Sequence, residues 1–152
     1  MTIAPDARGE ATIRLASDGD VTPIAALCHQ LGYPVSREEI RRRLDQIQRD
    51  DRHAVYVAEL PGERVIGWVH VYVRHLLVAD PQAEIGGLVV DEGHRRRGTG
   101  RRLMQRAERW AREKRCWAVH LRSNVVRKRA HAFYERIGYS VVKTQLAFRK
   151  VL

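Results

Sequence analysis

At 152 residues, 44 % hydrophobic and 30 % charged, the chain is long enough to bury a core without disulfide or metal staples. Its balance excludes collagen, a long coiled coil and intrinsic disorder, and no apolar run approaches the ~18–20 residues of a membrane span. The formal net charge of +10 lies entirely in the second half: residues 1–76 hold 10 Lys and Arg against 11 Asp and Glu, and residues 77–152 hold 18 against 7, a field that favours polyanionic or phosphorylated partners.

Residues 1–11, with Pro5, Gly9 and few apolar side chains, read as a flexible tail without the apolar stretch of a secretory signal. Folded structure is expected over 12–152. Thr12–Leu15 alternates as a short strand. Pro23 opens a helix that Gly32 stops, and Ser36-x-x-Glu39 is a capping box for a second helix striped by Ile40, Leu44 and Ile47. The period then shifts. Ala54–Glu59 and Val65–Arg74 read as a hairpin joined through Pro61-Gly62, His75–Ala83 as a loop, and Glu84–Val90 as another strand. Gly100–Lys114 is a helix with Leu103, Met104, Ala107, Trp110 and Ala111 facing inward, and Trp117–Leu121 is a strand. Ala130, Phe133, Tyr134 and Ile137 stripe a helix that Gly138 ends, Asn124 reads as its cap, and Tyr139–Lys150 is strand-like. The order β-αα-βββ-α-β-α-β describes one α+β domain. Cys28 and Cys116 form no CxxC pair and read as buried free thiols of a cytoplasmic protein.

The chemistry concentrates at Arg95-Arg96-Arg97-Gly98-Thr99-Gly100, between a strand and a helix. Glycines let successive backbone N–H groups converge on one point, and the following helix adds its positive dipole end. With three arginines before the glycines and Arg101-Arg102 after them, the segment has the makings of a pyrophosphate cradle. It is neither a P-loop nor a dinucleotide fingerprint, since GxxxxGK[ST] and GxGxxG are both absent.

This segment resembles the R/Q-x-x-G-x-G/A coenzyme A loop of the GNAT superfamily of N-acetyltransferases. Ala130-His131-Ala132-Phe133-Tyr134-Glu135-Arg136-Ile137-Gly138-Tyr139 is similar to that family's later A-x-x-FYE-x-x-GF motif, with Tyr139 in place of Phe. The R-x-x-A-H-x-FYE form resembles the branch labelled aminoglycoside 6′-N-acetyltransferase-like. The resemblance implies a central mixed, mostly antiparallel sheet with helices on both faces, acetyl-CoA as cosubstrate, no metal, and a homodimer.

Residue by residue, it implies that main-chain groups of Leu88, Val89 and Val90 pair with the pantetheine arm. Arg95, Arg96, Arg97, Gly98, Thr99 and Gly100 would hold the pyrophosphate, with Arg101 or Arg102, and Lys128 or Arg129, at the 3′-phosphate. Tyr134 matches the family's general acid. Glu84, thirteen residues before Arg97, matches a base of the histone-acetylating branch; His120 is a weaker substitute, and His94, which adjoins the loop, would donate to an anion there. Arg127 stands where many members carry an Asn.

From the residues alone, Leu88–Val90 is equally a core strand, Tyr134 a packing residue and Glu84 an exposed strand-start carboxylate. Gly86-Gly87 suits a bulge or a close backbone approach. The resemblance implies an amine as acyl acceptor, expected to be met by the first two helices and the His75–Ala83 loop. Asp18, Asp20, Glu38, Glu39, Asp45, Asp50 and Asp51 could seat a cation there, and Trp68, His70 and Tyr72 line a groove or pack under a helix. Two other readings are a basic nucleic-acid binder and a coenzyme A module without catalysis. An aromatic content of 7 % and arginines gathered at one helix start speak against nucleic acid. The seven His and two Cys show no zinc spacing.

Overall fold

The computed structural model describes residues 9–62 and 64–152. They form two compact units, one ending at Leu121 and one running Arg122–Leu152. The larger unit is built on β1 (Thr12–Leu15), β2 (His53–Leu60), β3 (Arg64–Leu76), β4 (Ala79–Val90) and β5 (Val119–Leu121). These lie side by side in chain order, antiparallel except for β5, which runs parallel to β4. Helices α1 (Val21–Gln30), α2 (Arg37–Gln48) and α3 (Thr99–Glu113) complete an α+β architecture.

The expected capping box closes α2: Glu39 N–H donates to Ser36 Oγ at 3.1 Å, and Ser36 N–H to Glu39 Oε2 at 2.9 Å. One sheet face is covered by α1 and α2, where Val21, Ile24, Leu27, Cys28, Ile40 and Leu44 close over Val57, Trp68 and Val89. The other face carries α3. Its stripe of Leu103, Met104, Ala107, Trp110 and Ala111 is buried as the 3.6-residue period requires, and the Arg106 guanidinium sits 4.4 Å over the Tyr56 ring. Arg14 of β1 grips Asp20 with two bonds of 2.7 and 2.8 Å and also reaches Glu59.

Several expectations change. The 75–83 loop does not exist as such: β3 runs on to Leu76, the chain turns at Leu77-Val78, and β4 starts at Ala79. Pro81 is tolerated in β4 because the register slips there and its carbonyl accepts from Trp117 N–H. Trp117 itself is exposed and precedes β5. Cys28 is buried as expected, whereas Cys116 is only half-buried. Most of the expected tail, residues 1–8, lies outside the described residues. Gly9–Ala11 is held: Ala11 is buried, and Arg102 donates to its carbonyl and pairs with Glu10.

In the smaller unit, α4 (Lys128–Arg136) forms where the stripe predicts it. Its N-cap is Arg127, not Asn124, whose side chain instead accepts from Val126 N–H in the preceding turn. No strand forms within this unit over Tyr139–Lys150, where the sequence pattern leads one to expect it.

Candidate active site

The basic loop is built from both ends. At the close of β4, Asp91 N–H donates to Ile66 O at 2.7 Å. The Asp91 side chain accepts from Gln30 Nε2 of α1 at 2.8 Å and from His94 Nδ1 at 2.7 Å, and both bonds hold it below the usual carboxylate range. Glu92 N–H returns to Gln30 Oε1 at 3.0 Å. The chain thus leaves the sheet on a turn pinned to α1, and His94 is committed to Asp91 through Nδ1.

Arg95 then folds back, its Nε donating to Val90 O at 3.0 Å. Arg96 and Gly98 take left-handed backbone angles, φ +64° and +79°. The first is costly for a side-chain-bearing residue, about 1–2 kcal/mol; the second suits glycine. This alternation turns successive N–H groups to one side. α3 begins at Thr99 with no side chain capping it, so its first-turn N–H groups and the positive dipole end face the loop. The side chains divide. Arg95, Arg96, Arg97 and Arg101 are exposed. Thr99 is buried and, with His94, Arg97 and Arg102, borders a cavity of about 210 Å³ against Ala11 and Leu60. Arg102 is engaged by Glu10 and Ala11, which leaves Arg101 the freer of that pair.

β4 pairs with β3 along one edge over nearly its whole length, but with β5 on the other edge only at Ala83, Glu84 and Ile85. Beyond Ile85 that edge meets no strand among the described residues. The Asp91–Ile66 bond fixes the alternation: Val89 turns its main chain to β3, while Leu88 and Val90 turn theirs to the open edge. The register skips Gly86, and a Cβ there would sit 2.6 Å from His70 Nδ1; one on Gly87 would sit 2.7 Å from the Trp68 ring. Both glycines are therefore required by aromatic rings lying over the strand.

Glu84 lies mid-strand, 2 % exposed, with Arg74 Nη1 3.0 Å from its carboxylate. It is not the exposed carboxylate that its position in the sequence allows; Arg74 supplies the countercharge that permits burial. Cross-strand register places His53, Tyr72, Glu84 and His120 in one row across β2, β3, β4 and β5, on a single face. His53 stacks on His70 and on Tyr72, with ring centroids 5.3 and 5.2 Å apart, and its Nδ1 is 3.0 Å from His70 Nε2. Burial, helped by the nearby charge of His53, pushes His70 down to about 4, so its ring is neutral at pH 7. Sequence reasoning missed His53 and Arg74. Both reach this face through pairing across strands, which leaves no local signal.

In the smaller unit Tyr134 stacks edge-on to Phe133 and Tyr139, at 5.2 and 6.1 Å. Burial pushes its phenol up, against a weaker opposing pull from Arg127, so it keeps its proton well beyond neutral pH. His131 Nε2 donates to Asn124 O at 2.9 Å. Lys128 and Arg129 are exposed.

A loop with an uncapped helix behind it, beside a strand edge left unpaired, is the architecture of the acetyltransferase family that the sequence resembles. The model of the acetyltransferase (GNAT) family matches residues 20–139, and the chain belongs to that family. No curated protein matches the chain. Among solved structures, the fold is similar to aminoglycoside N-acetyltransferase AAC(6′)-Iy in complex with CoA (TM-score 0.85, 18 % identity, 97 % of this chain and 99 % of that one). It is also similar to aminoglycoside antibiotic 6′-N-acetyltransferase AAC(6′)-Ih from Acinetobacter baumannii (0.81, 20 %, 93 % and 99 %). A third is a putative acetyltransferase from Agrobacterium tumefaciens (0.81, 25 %, 91 % and 99 %).

Proposed function

We propose that the protein is an acetyl-CoA-dependent N-acetyltransferase that modifies a primary amine by direct attack in a ternary complex, in the cytoplasm and as a homodimer. The observation that carries this reading is the cradle at Arg95–Gly100: two left-handed residues, an uncapped α3 and four exposed arginines around it. A bound acetyl-CoA would supply the activated thioester, and the residues present suit it. The loop N–H groups take the pyrophosphate, Arg101 answers the 3′-phosphate, and the outward main-chain groups of Leu88 with the Val90 N–H offer a ladder to an amide-bearing arm.

Glu84 receives a proton from the attacking amine, directly or through water, as nitrogen bonds to the acyl carbon and the carbon–sulfur bond breaks. Tyr134 gives its proton to the departing sulfur, leaving an amide and a thiol. The raised Tyr134 phenol supports the acid role, and burial in a row with His53, Tyr72 and His120 supports Glu84. A cationic acceptor suits the acidic residues on and just after α2, Glu38, Glu39, Asp45, Asp50 and Asp51. The solved relatives described as aminoglycoside acetyltransferases support an aminoglycoside over a polyamine or a lysine side chain.

The test is an amine-panel screen that follows thiol release from acetyl-CoA. Acetylation of aminoglycosides at a primary amine is the expected result. Release with no amine on the panel, while acetyl-CoA still binds, would leave only a coenzyme A-binding module.

A further inference from the structure

Arg96 carries a left-handed backbone angle, φ +64°, that suits glycine and not a residue with a side chain. Such an angle persists only where the surroundings over-determine it. Downstream the hold is α3, anchored by the buried Leu103 and Met104. Upstream it is not the sheet, since β4 ends at Val90. The hold there comes from another element. Gln30 closes α1, and its amide uses both ends: Nε2 donates to Asp91 Oδ1 at 2.8 Å, and Oε1 accepts from Glu92 N–H at 3.0 Å. Asp91 Oδ2 accepts from His94 Nδ1 at 2.7 Å and has Arg64 Nη2 at 4.0 Å, while Asp91 O accepts from His94 N–H at 2.9 Å. Arg95 Nε reaches back to Val90 O at 3.0 Å. Residues 91–95, which lead into the strained one, are thus fixed by a chain of bonds whose far anchor is Gln30.

We infer that Gln30 is a positioning residue for the pyrophosphate cradle: its two bonds hold Asp91–Arg95 in the turn that keeps Arg96 left-handed, and without them the loop relaxes and its N–H groups no longer converge. A planar amide is suited to this task, because it donates and accepts side by side and so takes a carboxylate and the next N–H together. A carboxylate in its place would lose the donor and repel Asp91. The Gln30 side chain is exposed, so it contributes these bonds without filling the core under α1. The inference rests on the coenzyme reading of the cradle and adds to it a residue that lies outside the loop.

Calorimetric titration with acetyl-CoA tests it. Gln30→Met keeps the length of the side chain, removes both bonds and should weaken acetyl-CoA binding about tenfold, with little change in the melting temperature of the free protein. Gln48→Met is the matched control. Gln48 closes α2 as Gln30 closes α1, and its Nε2 donates to Ala16 O at 3.0 Å, away from the loop; its loss should change the affinity by less than about twofold. Arg96→Gly separates positioning from general loosening. Glycine adopts the left-handed angle freely, so beside Arg96→Gly the further change Gln30→Met should cost less than about threefold. A Gln30→Met variant that binds as the wild type does, or one whose loss is undiminished beside Arg96→Gly, would overturn the inference. Hydrogen exchange at the His94 N–H needs no coenzyme: it should be faster in Gln30→Met than in the wild type, and equal rates would likewise overturn the inference. Faster exchange in a chain that binds no acetyl-CoA would count against the coenzyme reading and uphold the role of Gln30.

Discussion

The residues up to Leu121 and the segment Arg122–Leu152 obey the same sequence rules and reach different ends. In the first, each apolar stripe finds a partner: α3 closes on one face of the sheet, and α1 with α2 on the other. In the second, α4 has no fully buried residue, and Leu146 and Phe148 beyond it are exposed. Periodicity states which face of an element seeks burial. Whether that face is buried depends on a neighbour, which the period of one element does not supply.

The variants that probe this contrast differ in the size of their effect. Tyr134→Phe, in the smaller unit, removes a proton donor and little volume. It should lower kcat by about 10²–10⁴-fold while the apparent affinity for acetyl-CoA stays within a factor of about two, as steady-state kinetics and calorimetric titration would show. Equal turnover in the variant would reduce Tyr134 to packing.

In the larger unit, His70 couples stability to acid. Its folded value of about 4 lies below the ordinary 6.5, because burial, aided by His53, disfavours the charged ring. The unfolded chain therefore takes up a proton from pH 6.5 downward while the folded chain does not. Stability should fall by about 3 kcal/mol between pH 6.5 and 4. Urea titrations of His70→Gln should show this part of the slope removed.

Gly87→Ala places a methyl 2.7 Å from the Trp68 ring and should cost about 1–3 kcal/mol of overpacking, read as a lowered melting temperature. Ser36→Ala deletes one half of the α2 capping box and should cost about 1 kcal/mol. Val141→Thr, at an exposed position, should change the unfolding free energy read from urea titration by less than about 0.5 kcal/mol.

What the sequence made legible was local. The Ser36–Glu39 capping box, the stripe of α3 and the glycine bend before it depend on residues a few positions apart, and all appear where expected. What stayed hidden spans strands. The Leu77-Val78 turn carries none of the usual turn residues, so a hairpin read as a loop. Arg74 beside Glu84, and His53 under His70 and Tyr72, meet only through cross-strand register. Gly86 and Gly87 signalled a close approach, but only the structure supplies its cause in the His70 and Trp68 rings.

The central claim is that the Arg95–Gly100 bend grips a pyrophosphate, and the melting temperature with and without acetyl-CoA tests it most directly. The account predicts a rise in the wild-type chain that Gly98→Trp abolishes, since no large side chain suits the left-handed angle or leaves room for the phosphates. A wild-type chain whose melting is indifferent to millimolar acetyl-CoA, or a Gly98→Trp variant that still responds in full, would contradict it.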